Sequence, residues 1–464
     1  MKYPVCTSLL YPPPLIESLH AVDKSINKTY KHDKSVTAYD YIRSGCRMAK
    51  FLLVDTIVSL SANCISKSLG ASAVFNALTT NGPLIMKLGQ FLSTRTEVFS
   101  DELIIKLRSI QDSAPEVKLQ NHPLDILYKE VGVRLPDTAL KQRIGAGCIS
   151  QVYKVRMGNK DYALKIIDES TAVRVSTDIH VLEFISWVCG ATRFYREFKQ
   201  NMHAQMDLRK EKMNTDQFRR NFSYYQSTVE NSSVINQALS YFINRPSFIF
   251  PKPILATKRI LLTEYWPGTK IPPWDKNTSK SLLIMFMKMI FKDRFIHSDL
   301  HPGNLSVYTG ARTAQTSSSR MHTPIIVYDA GLTHSLTLTQ RNNLSDLIKA
   351  ICLGHKRSAL SLIIDRNMLN KHTPQEKDTF IKSAISYWGM CNKKWSTFDR
   401  ALKIYFLARQ HKVFLDSSYT NIIMSSIYMQ NHLKGINQFD WRMAVMSGCT
   451  VDYLDLLSQW KKFA

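Results

Sequence analysis

The chain has 464 residues, 44% of them hydrophobic and 21% charged, with a formal net charge of +24. This length and composition exclude wholesale disorder and predict two or three domain-sized units. The positive charge raises nucleic acid as a partner, but the basic residues are scattered and no zinc-finger or RNA-binding signature occurs. We therefore expect no nucleic-acid partner, and a basic surface facing anionic membrane or acidic partners explains the charge.

The eight cysteines are widely spaced and no Cys-x-x-Cys occurs, which predicts reduced thiols and neither a disulfide framework nor a zinc site. No uninterrupted run of 18 apolar residues is present. The best stretch, Phe51 to Leu60, is short and contains Asp55, so no membrane-spanning helix is expected. The N-terminus lacks a signal-peptide core and makes a poor transit peptide.

The N-terminal part predicts helices. One or two are expected between Val36 and Leu69, and Pro83 opens another whose apolar side contains Leu84, Leu88, Phe91 and Leu92. A further helix is predicted from its N-cap Ser100 to about Ile110.

Two polar residues of the helix that begins at Pro83 project together, because Lys87 and Gln90 are three positions apart. From spacing alone, the simpler interpretation is an ordinary amphipathic helix with a solvated lysine and glutamine.

The hydrophobic period then changes to that of strands, predicted at Gln142–Gly147, Gln151–Met157 and Tyr162–Ile167. The turn between the first two predicts a phosphate-binding loop in which backbone N–H groups cradle a nucleotide. Its candidate nucleotide-binding residues are Gly145, Ala146, Gly147, Cys148, Ile149, Ser150 and Val152. Gly-x-Gly alone is weak evidence, but Lys165 follows on a strand in a kinase-like setting, where it would neutralise phosphates.

A strand lysine of this kind needs an acidic partner on a helix. A helical pattern runs from Gln205 to Phe222, and Glu211 is the predicted partner; Asp207, one turn earlier, stays an alternative. Two further strands, Phe248–Ala256 and Arg259–Glu264, lead into a hinge-like turn that begins at Glu264, where adenine would contact the backbone.

The most informative stretch follows a predicted buried helix, Thr278–Ile296. It places Asp299 and Asn304 five positions apart, as in a kinase catalytic loop. The aspartate would orient or deprotonate a hydroxyl, and the asparagine would present an amide oxygen to Mg²⁺. A short strand then leads to Asp329, the second predicted metal ligand. A competing interpretation takes His297, Asp299 and His301 as the metal triad of a hydrolase, but it leaves Asn304 and Asp329 unexplained.

The region after the catalytic loop differs from that of a protein kinase. Residues 309–323, rich in Ser and Thr, predict a flexible insertion, and residues 338–464 predict helices to the end. Between Gly331 and the helix near Thr339 there is no Ala-Pro-Glu motif and no long activation segment. Because protein kinases build their peptide platform there, phosphorylation of protein substrates is not expected.

These motifs resemble the UbiB family of atypical kinase-like proteins (the aarF-domain-containing kinases), which support coenzyme Q biosynthesis. The resemblance covers roughly residues 78–440. It is carried by Lys87-Leu88-Gly89-Gln90 (the family's K-x-G-Q), Ser93-Thr94-Arg95, Gln111-Asp112 with Pro115, Gln151-Val152-Tyr153, Glu211, the loop from His297 to Asn304, and Asp329. The glycine loop and Asp329-Ala330-Gly331 look closest to the second human paralogue branch, which implies a mitochondrial, membrane-associated protein.

The resemblance implies an α+β, protein-kinase-like two-lobed fold. Its parts would be a weakly patterned, partly helical region (1–77), a helical K-x-G-Q extension (78–138), an N-lobe with inserted helices (139–266) and a helical C-lobe (267–464). It also implies ATP and Mg²⁺ as cofactors. Lys165 would hold phosphates, Glu211 would pair with it, Asp299 would be the catalytic aspartate, Asn304 and Asp329 would bind magnesium, and Lys87 and Gln90 would gate the site.

The implied activity is an ATPase or a small-molecule phosphotransferase supporting coenzyme Q or lipid metabolism, with a lipid or quinone precursor as substrate. The alternative is a nucleotide-binding pseudokinase scaffold that regulates a membrane-associated complex without turnover. Three features depart from the family: Gly145 and Gly147 lie in a loop that is usually alanine-rich, Gln205 replaces an acid that would pair with Lys87, and Ala330 replaces the phenylalanine of D-F-G.

Overall fold

The computed structural model describes residues 36–93, 106, 119–188, 190, 192–223, 247–272, 276–309, 323–352, 355–366, 372–390, 404, 407–408, 410–413, 422 and 425. Several predictions lie outside these residues: the Ser100 helix, Thr94-Arg95, Gln111-Asp112 with Pro115, the 310–322 part of the insertion, and most of the C-terminal region. The chain divides into two compact units. The first is Met1–Phe218 with Pro251–Trp266, and the second is Arg219–Phe250 with Pro267–Ala464.

The first unit begins with helices, as predicted. They are α1 (Ala38–Ala49), a π-helical turn (Lys50–Asp55), α2 (Thr56–Ile65), α3 (Lys67–Thr80) and α4 (Pro83–Ser93). A capping box between Thr37 and Asp40 starts α1, and Ser66 separates α2 from α3 by accepting the Leu69 N–H at 3.1 Å.

Helices α1 and α2, with the π-helical turn, form one helical run, Ala38–Ile65. By length and composition alone it could cross a membrane, which is weak evidence for a span. The prediction above required consecutive apolar residues, whereas a helix accommodates scattered Ser, Thr and Asn.

A five-stranded antiparallel sheet follows, in the order β1-β2-β3-β6-β5. Its strands are β1 (Leu140–Ala146), β2 (Gln151–Met157), β3 (Lys160–Ile166), β5 (Pro253–Ala256) and β6 (Ile260–Glu264). Buried Val155, Leu164 and Leu262 pack beneath helix α5 (Pro123–Val131). Glu130 of α5 accepts hydrogen bonds from Thr257 and Arg259, each at 2.8 Å, and so ties the helix to the sheet.

Three more helices complete the first unit: α6 (Glu169–Val188), α7 (Thr192–Gln205) and α8 (Leu208–Asn221), whose last residues are assigned to the second unit. The predicted start of α8 at Gln205 was wrong, because Gln205 ends α7. The Asp207 carboxylate accepts the Arg209 N–H at 3.1 Å and caps the new helix.

The second unit contains a four-stranded sheet, a strand pair and helices. The sheet order is β4-β10-β9-β7, with β4 parallel to β10, and β8 pairs with β11. The strands are β4 (Phe248–Ile249), β7 (Gly268–Lys270), β8 (Phe295–His297), β9 (Leu305–Tyr308), β10 (Ile325–Val327) and β11 (Thr333–Ser335). The helices are α9 (Lys276–Phe291), α10 (Leu338–Cys352), α11 (Lys356–Asp365) and α12 (Pro374–Met390).

Two predicted elements were wrong in this region. The strand Phe248–Ala256 is two strands in different sheets, since Pro251 and Pro253 lack the N–H that a continuous ladder needs. The helix Thr278–Ile296 ends at Phe291, and Phe295–His297 is a strand. Between them Arg294 has a φ of 53°, which ends the helix. A buried strand and a buried helix are both apolar, so the pattern did not separate them.

Candidate functional site

The predicted phosphate-binding loop is a β-hairpin turn between β1 and β2. The Gly147 N–H donates to Ser150 O at 2.8 Å and closes the turn. A Cβ added at Gly145 or Gly147 would meet its nearest neighbours at 3.6 and 3.7 Å, which is ordinary contact. The protein's own packing therefore does not demand glycine at either position, and close approach of a ligand to the backbone remains a reason for it.

The side chains at the tip of this hairpin turn inward. Cys148 and Ile149 are 1% and 7% exposed and pack in the hydrophobic cluster that contains Leu84, Ile85 and Met86 of α4. Of these two loop residues, only the backbone is available to a nucleotide. Helix α4, which carries the K-x-G-Q residues, and the loop tip thus belong to one hydrophobic cluster.

Lys165 and Glu211 form the ion pair that the sequence predicts. Lys165 lies in the middle of the sheet, between Val152 of β2 and Leu261 of β6. Its Nζ donates to both carboxylate oxygens of Glu211, at 3.0 and 2.8 Å. The two side chains are 14% and 7% exposed, so the charges interact where little water screens them.

The alternative partner, Asp207, is committed elsewhere. Its carboxylate accepts from Arg209 Nε at 2.9 Å and from Arg209 Nη2 at 2.7 Å. Burial pushes the pKa of Asp207 upward, but the hydrogen bonds and charge of Arg209 outweigh burial and hold the pKa below its ordinary range. The structure therefore selects Glu211.

Glu264 ends β6, opposite Tyr162 of β3, and its N–H donates to Lys252 O at 2.9 Å. Burial and then the Glu264 charge raise the pKa of Tyr162. The contact of adenine with the backbone at Glu264 stays a prediction.

Lys87 and Gln90 lie half-buried on α4. Leu84 of the same helix is fully buried, while Leu88 and Phe91 pack against that core, which confirms the predicted apolar face for these three residues.

In the second unit, the loop after β8 holds Asp299 and Asn304 in contact. Asn304 Nδ2 donates to the backbone O of Asp299 at 2.9 Å. This bond uses the amide nitrogen of Asn304, so the amide oxygen is the group that could face a cation. In the 3₁₀ turn Pro302–Asn304, a Cβ at Gly303 would lie 2.8 Å from His301 Cε1, so the His301 ring, which accepts the Gly303 N–H, would have to move.

The buried His297 ring connects the segment that contains Asp299 to the segment that ends at Asp329. The Asp299 N–H donates to His297 Nδ1 at 3.2 Å, so the ring proton lies on Nε2, which donates to Tyr328 O at 3.1 Å. Burial lowers the pKa of His297 and keeps the ring neutral, although the nearby Asp299 charge opposes this shift. The imidazole thereby links the residue before Asp329 to Asp299 itself.

Asp329 follows β10 with an exposed side chain and a φ of 51°. Aspartate tolerates this left-handed conformation, and the Gly331 N–H donates to its Oδ1 at 3.3 Å. Backbone conformations of this kind cluster at functional sites. Ala330 is buried in place of an aromatic ring.

The hydrolase interpretation is wrong for His297, because both ring nitrogens bond to backbone groups inside the protein. Consistently, the described residues contain no cluster of three or more His, Cys, Asp or Glu side chains able to hold a metal ion. His301 Nδ1 accepts the Gly303 N–H at 3.1 Å, while its Nε2 lies 4.0 Å from Asp299 Oδ2.

Sequence reasoning missed two features of the site: the burial of the loop tip in one cluster with α4 residues and the connecting role of His297. The first left no signal beyond the apolar character of Cys148 and Ile149. The second could have been inferred from a histidine inside an apolar segment immediately before the aspartate.

Comparisons with known proteins find similarity over the part of the chain that contains most of these residues. The model of the ABC1 atypical kinase-like domain matches residues 110–362, more than half of the chain. The match includes Lys165, Glu211, Asp299, Asn304 and Asp329, whereas Lys87 and Gln90 precede it.

Three curated relatives show the same similarity at low identity. The probable serine/threonine-protein kinase abkC of Dictyostelium discoideum is 26% identical over 265 residues, covering 52% of this chain and 36% of the relative. The probable protein kinase UbiB of Vibrio cholerae is 27% identical over 250 residues, covering 50% and 43%. A mitochondrial ABC1 family protein of Saccharomyces cerevisiae is 25% identical over 274 residues, covering 50% and 38%. The chain therefore matches less than half the length of each of these relatives.

Proposed function

Because this chain belongs to the ABC1 atypical kinase-like family, which includes the UbiB proteins, we propose that it binds Mg–ATP and hydrolyses it or transfers its phosphoryl group to a small molecule. The observation that carries this proposal is the buried ion pair of Lys165 and Glu211 at 2.8 Å. In kinases such a strand lysine, held by a helix glutamate, contacts the nucleotide phosphates.

The residues of the second unit suit magnesium. Carboxylate and amide oxygens are the ligands that Mg²⁺ takes from proteins. Asn304 has its amide nitrogen engaged by Asp299 O, and Asp329 has an exposed carboxylate, so both can offer oxygen. When bound, magnesium would neutralise phosphate charge.

Asp299 would orient the attacking hydroxyl or water and accept its proton. Its backbone N–H is held by His297 and its backbone O by Asn304, which fixes the segment that carries the carboxylate. A group fixed in this way loses little entropy when the acceptor arrives.

The acceptor is proposed to be a small molecule or water. Thr333–Ser335, just after Asp329, are committed to the strand pair with β8, and α10 begins at Leu338. This short segment has no room for the peptide platform of a protein kinase. By family resemblance, the substrate is a lipid or quinone precursor, and the setting is coenzyme Q metabolism in an organelle, the mitochondrion being favoured by the yeast relative.

A second candidate is a nucleotide-binding scaffold without turnover. It is favoured by the loop tip, because Cys148 and Ile149 are buried in the hydrophobic cluster that includes α4 residues, and a loop held in this way is hindered from opening and closing in a catalytic cycle.

Steady-state phosphate release from ATP, measured for the wild type and for Asp329→Asn, separates the two candidates. Turnover well above that of the variant supports the enzyme. Release equal to that of the variant, with nucleotide binding intact in the wild type, supports the scaffold. Absence of Mg–ATP binding by calorimetry overturns both.

A further inference from the structure

Lys288 of α9 is a buried cation that joins two segments of the second unit. Its Nζ donates to the backbone O of Asn221, the last residue of α8, at 2.7 Å. The same ammonium donates to both carboxylate oxygens of Asp293, at 2.7 and 2.6 Å. A lysine ammonium has three N–H donors, so these bonds use all of them. Lys288 therefore connects the end of α8 to the loop that follows α9.

The end of α8 to which Lys288 is bonded lies in an aromatic core. Lys288 Nζ is 4.2 Å from the centroid of the Phe222 ring, which is a cation–π distance. Buried Phe222 packs in turn against Phe248 and Phe250, with ring centroids 5.5 and 5.2 Å apart. Arg219 of α8 donates to Phe250 O at 2.6 Å. The end of α8 is thus a fixed point within the second unit.

Stability alone does not explain a buried ion pair at this place. The side chains of Lys288 and Asp293 are 11% and 7% exposed. Burial lowers the pKa of Lys288 and raises the pKa of Asp293, and in each case it outweighs the attraction of the opposite charge. Apolar side chains of similar size would often stabilise a fold equally well, but they would lack the directed bonds that define a geometry.

A simpler role for the pair would be to close the end of α9. The backbone already fills that role, because the N–H groups of Lys292 and Asp293 both donate to Lys288 O at 3.0 Å. The side chain of Lys288 is therefore available for a contact beyond its own helix, and the bond to Asn221 O is that contact.

The loop held by Lys288 leads directly to the proposed catalytic aspartate. Asp293 lies six positions before Asp299, and residues 293–299 form what we call the catalytic segment. Its backbone is held along its length: β8 pairs with β11, and the Ser298 N–H donates at 3.0 Å to the carbonyl just before β11. A shift at Asp293 would therefore reach Asp299, because few bonds between them are free to absorb it.

We propose that Lys288 is a positioning residue that holds the catalytic segment in register with the end of α8 and thereby aligns the Asp299 carboxylate. This role rests on the proposed function. A misplacement of about 1 Å in a catalytic group can cost roughly a hundredfold in rate. The proposed phosphate contacts, Lys165 and Glu211, are assigned to the first unit. Loss of the Lys288 bonds should therefore lower kcat more than nucleotide affinity.

The double variant Lys288→Met/Asp293→Leu tests this role, because it removes all three bonds and leaves neither charge unpaired. Its unfolding in urea, followed by circular dichroism, should stay close to that of the wild type. In steady-state phosphate release, kcat should fall at least about tenfold, while the Kd for Mg–ATP in calorimetry should change by less than about twofold. A pair with only a structural role would leave kcat unchanged in a folded variant.

The matched control is Lys377→Met/Asp365→Leu. It removes a second Lys–Asp pair of the same unit, 2.7 Å apart, whose side chains are 31% and 52% exposed, and kcat should not change. If Lys288→Met/Asp293→Leu does not fold, the milder Asp293→Asn takes its place. This variant keeps one acceptor oxygen, and its kcat should fall at least about threefold with the Kd unchanged.

Hydrogen exchange without nucleotide gives a measurement that does not depend on the proposed function. The amides of the catalytic segment should exchange faster in Lys288→Met/Asp293→Leu than in the control variant. Equal exchange would overturn the proposal, and so would a wild-type kcat in the folded double variant. A wild type that releases no phosphate would overturn the proposed enzyme instead, and faster exchange would still support the positioning of the segment by Lys288.

Discussion

Replacing Lys165 by methionine should lower both the folding stability of the protein and its affinity for Mg–ATP. The substitution removes a cation 2.8 Å from the Glu211 carboxylate, whose side chain is only 7% exposed. Breaking a buried ion pair on one side costs about 3–5 kcal/mol, because the remaining charge stays buried. The same substitution removes a charge-assisted contact to phosphate of about 1.5–3 kcal/mol, or roughly tenfold to a hundredfold in Kd for Mg–ATP.

A second substitution makes the two effects distinguishable. In Lys165→Met/Glu211→Leu both charges are gone, and replacement of a buried pair by apolar residues is often neutral. Stability in urea, followed by circular dichroism, should return close to the wild type, while calorimetry should still find Mg–ATP binding weakened. Lys154→Met is the control: Lys154 pairs with Asp161 at 2.9 Å on a more exposed part of the sheet, so its loss should cost about 1 kcal/mol or less and leave the Kd unchanged.

The assignment of Lys165 would be refuted if the double variant bound Mg–ATP as tightly as the wild type. If Lys165→Met alone unfolded at the wild-type urea concentration, the pair would contribute nothing to stability and the reasoning from burial would fail.

Three further predictions concern the loops and the catalytic segment. Gly303→Ala should destabilise the protein by about 0.5–2 kcal/mol in urea, because the new Cβ would displace the His301 ring that caps the Gly303 N–H, whereas Gly147→Ala should preserve stability and weaken Mg–ATP binding; equal stabilities would contradict the packing argument. In the wild type, the free energy of unfolding should decrease as the pH is lowered below about 6.5. The contribution of His297 is up to about 1.4 kcal/mol per pH unit, because the unfolded chain binds a proton that the buried ring does not. His297→Gln should reduce this slope, and an unchanged slope would refute the assignment of a neutral, buried His297 ring. Asp299→Asn, expressed in cells in place of the wild type, should lower quinone levels with the protein still present; normal levels would remove the link to coenzyme Q.

The local elements of the candidate site could be predicted from the sequence. The loop with Asp299 and Asn304, the hairpin with Gly145 and Gly147, and the strand with Lys165 are encoded by contiguous residues and short spacings, so pattern alone locates them. The same holds for β2 and for α4, whose periods are regular. Patterns could not place the end of α9 or split β4 from β5, because apolar residues fill buried strands and buried helices alike.

Contacts between distant positions were decided only in three dimensions. The sequence favoured Glu211 as the partner of Lys165 but left Asp207 open, and the Asp207–Arg209 bonds removed that alternative. The sequence of Ala38–Ile65 predicted a helix without showing which side would be covered. Tertiary contacts to Asp178 and Asn81 hold Ser44 and Asp55 inward, beside the buried Met48, because buried polar groups must find hydrogen-bond partners. These contacts leave Leu53, Ile57 and Leu60 exposed.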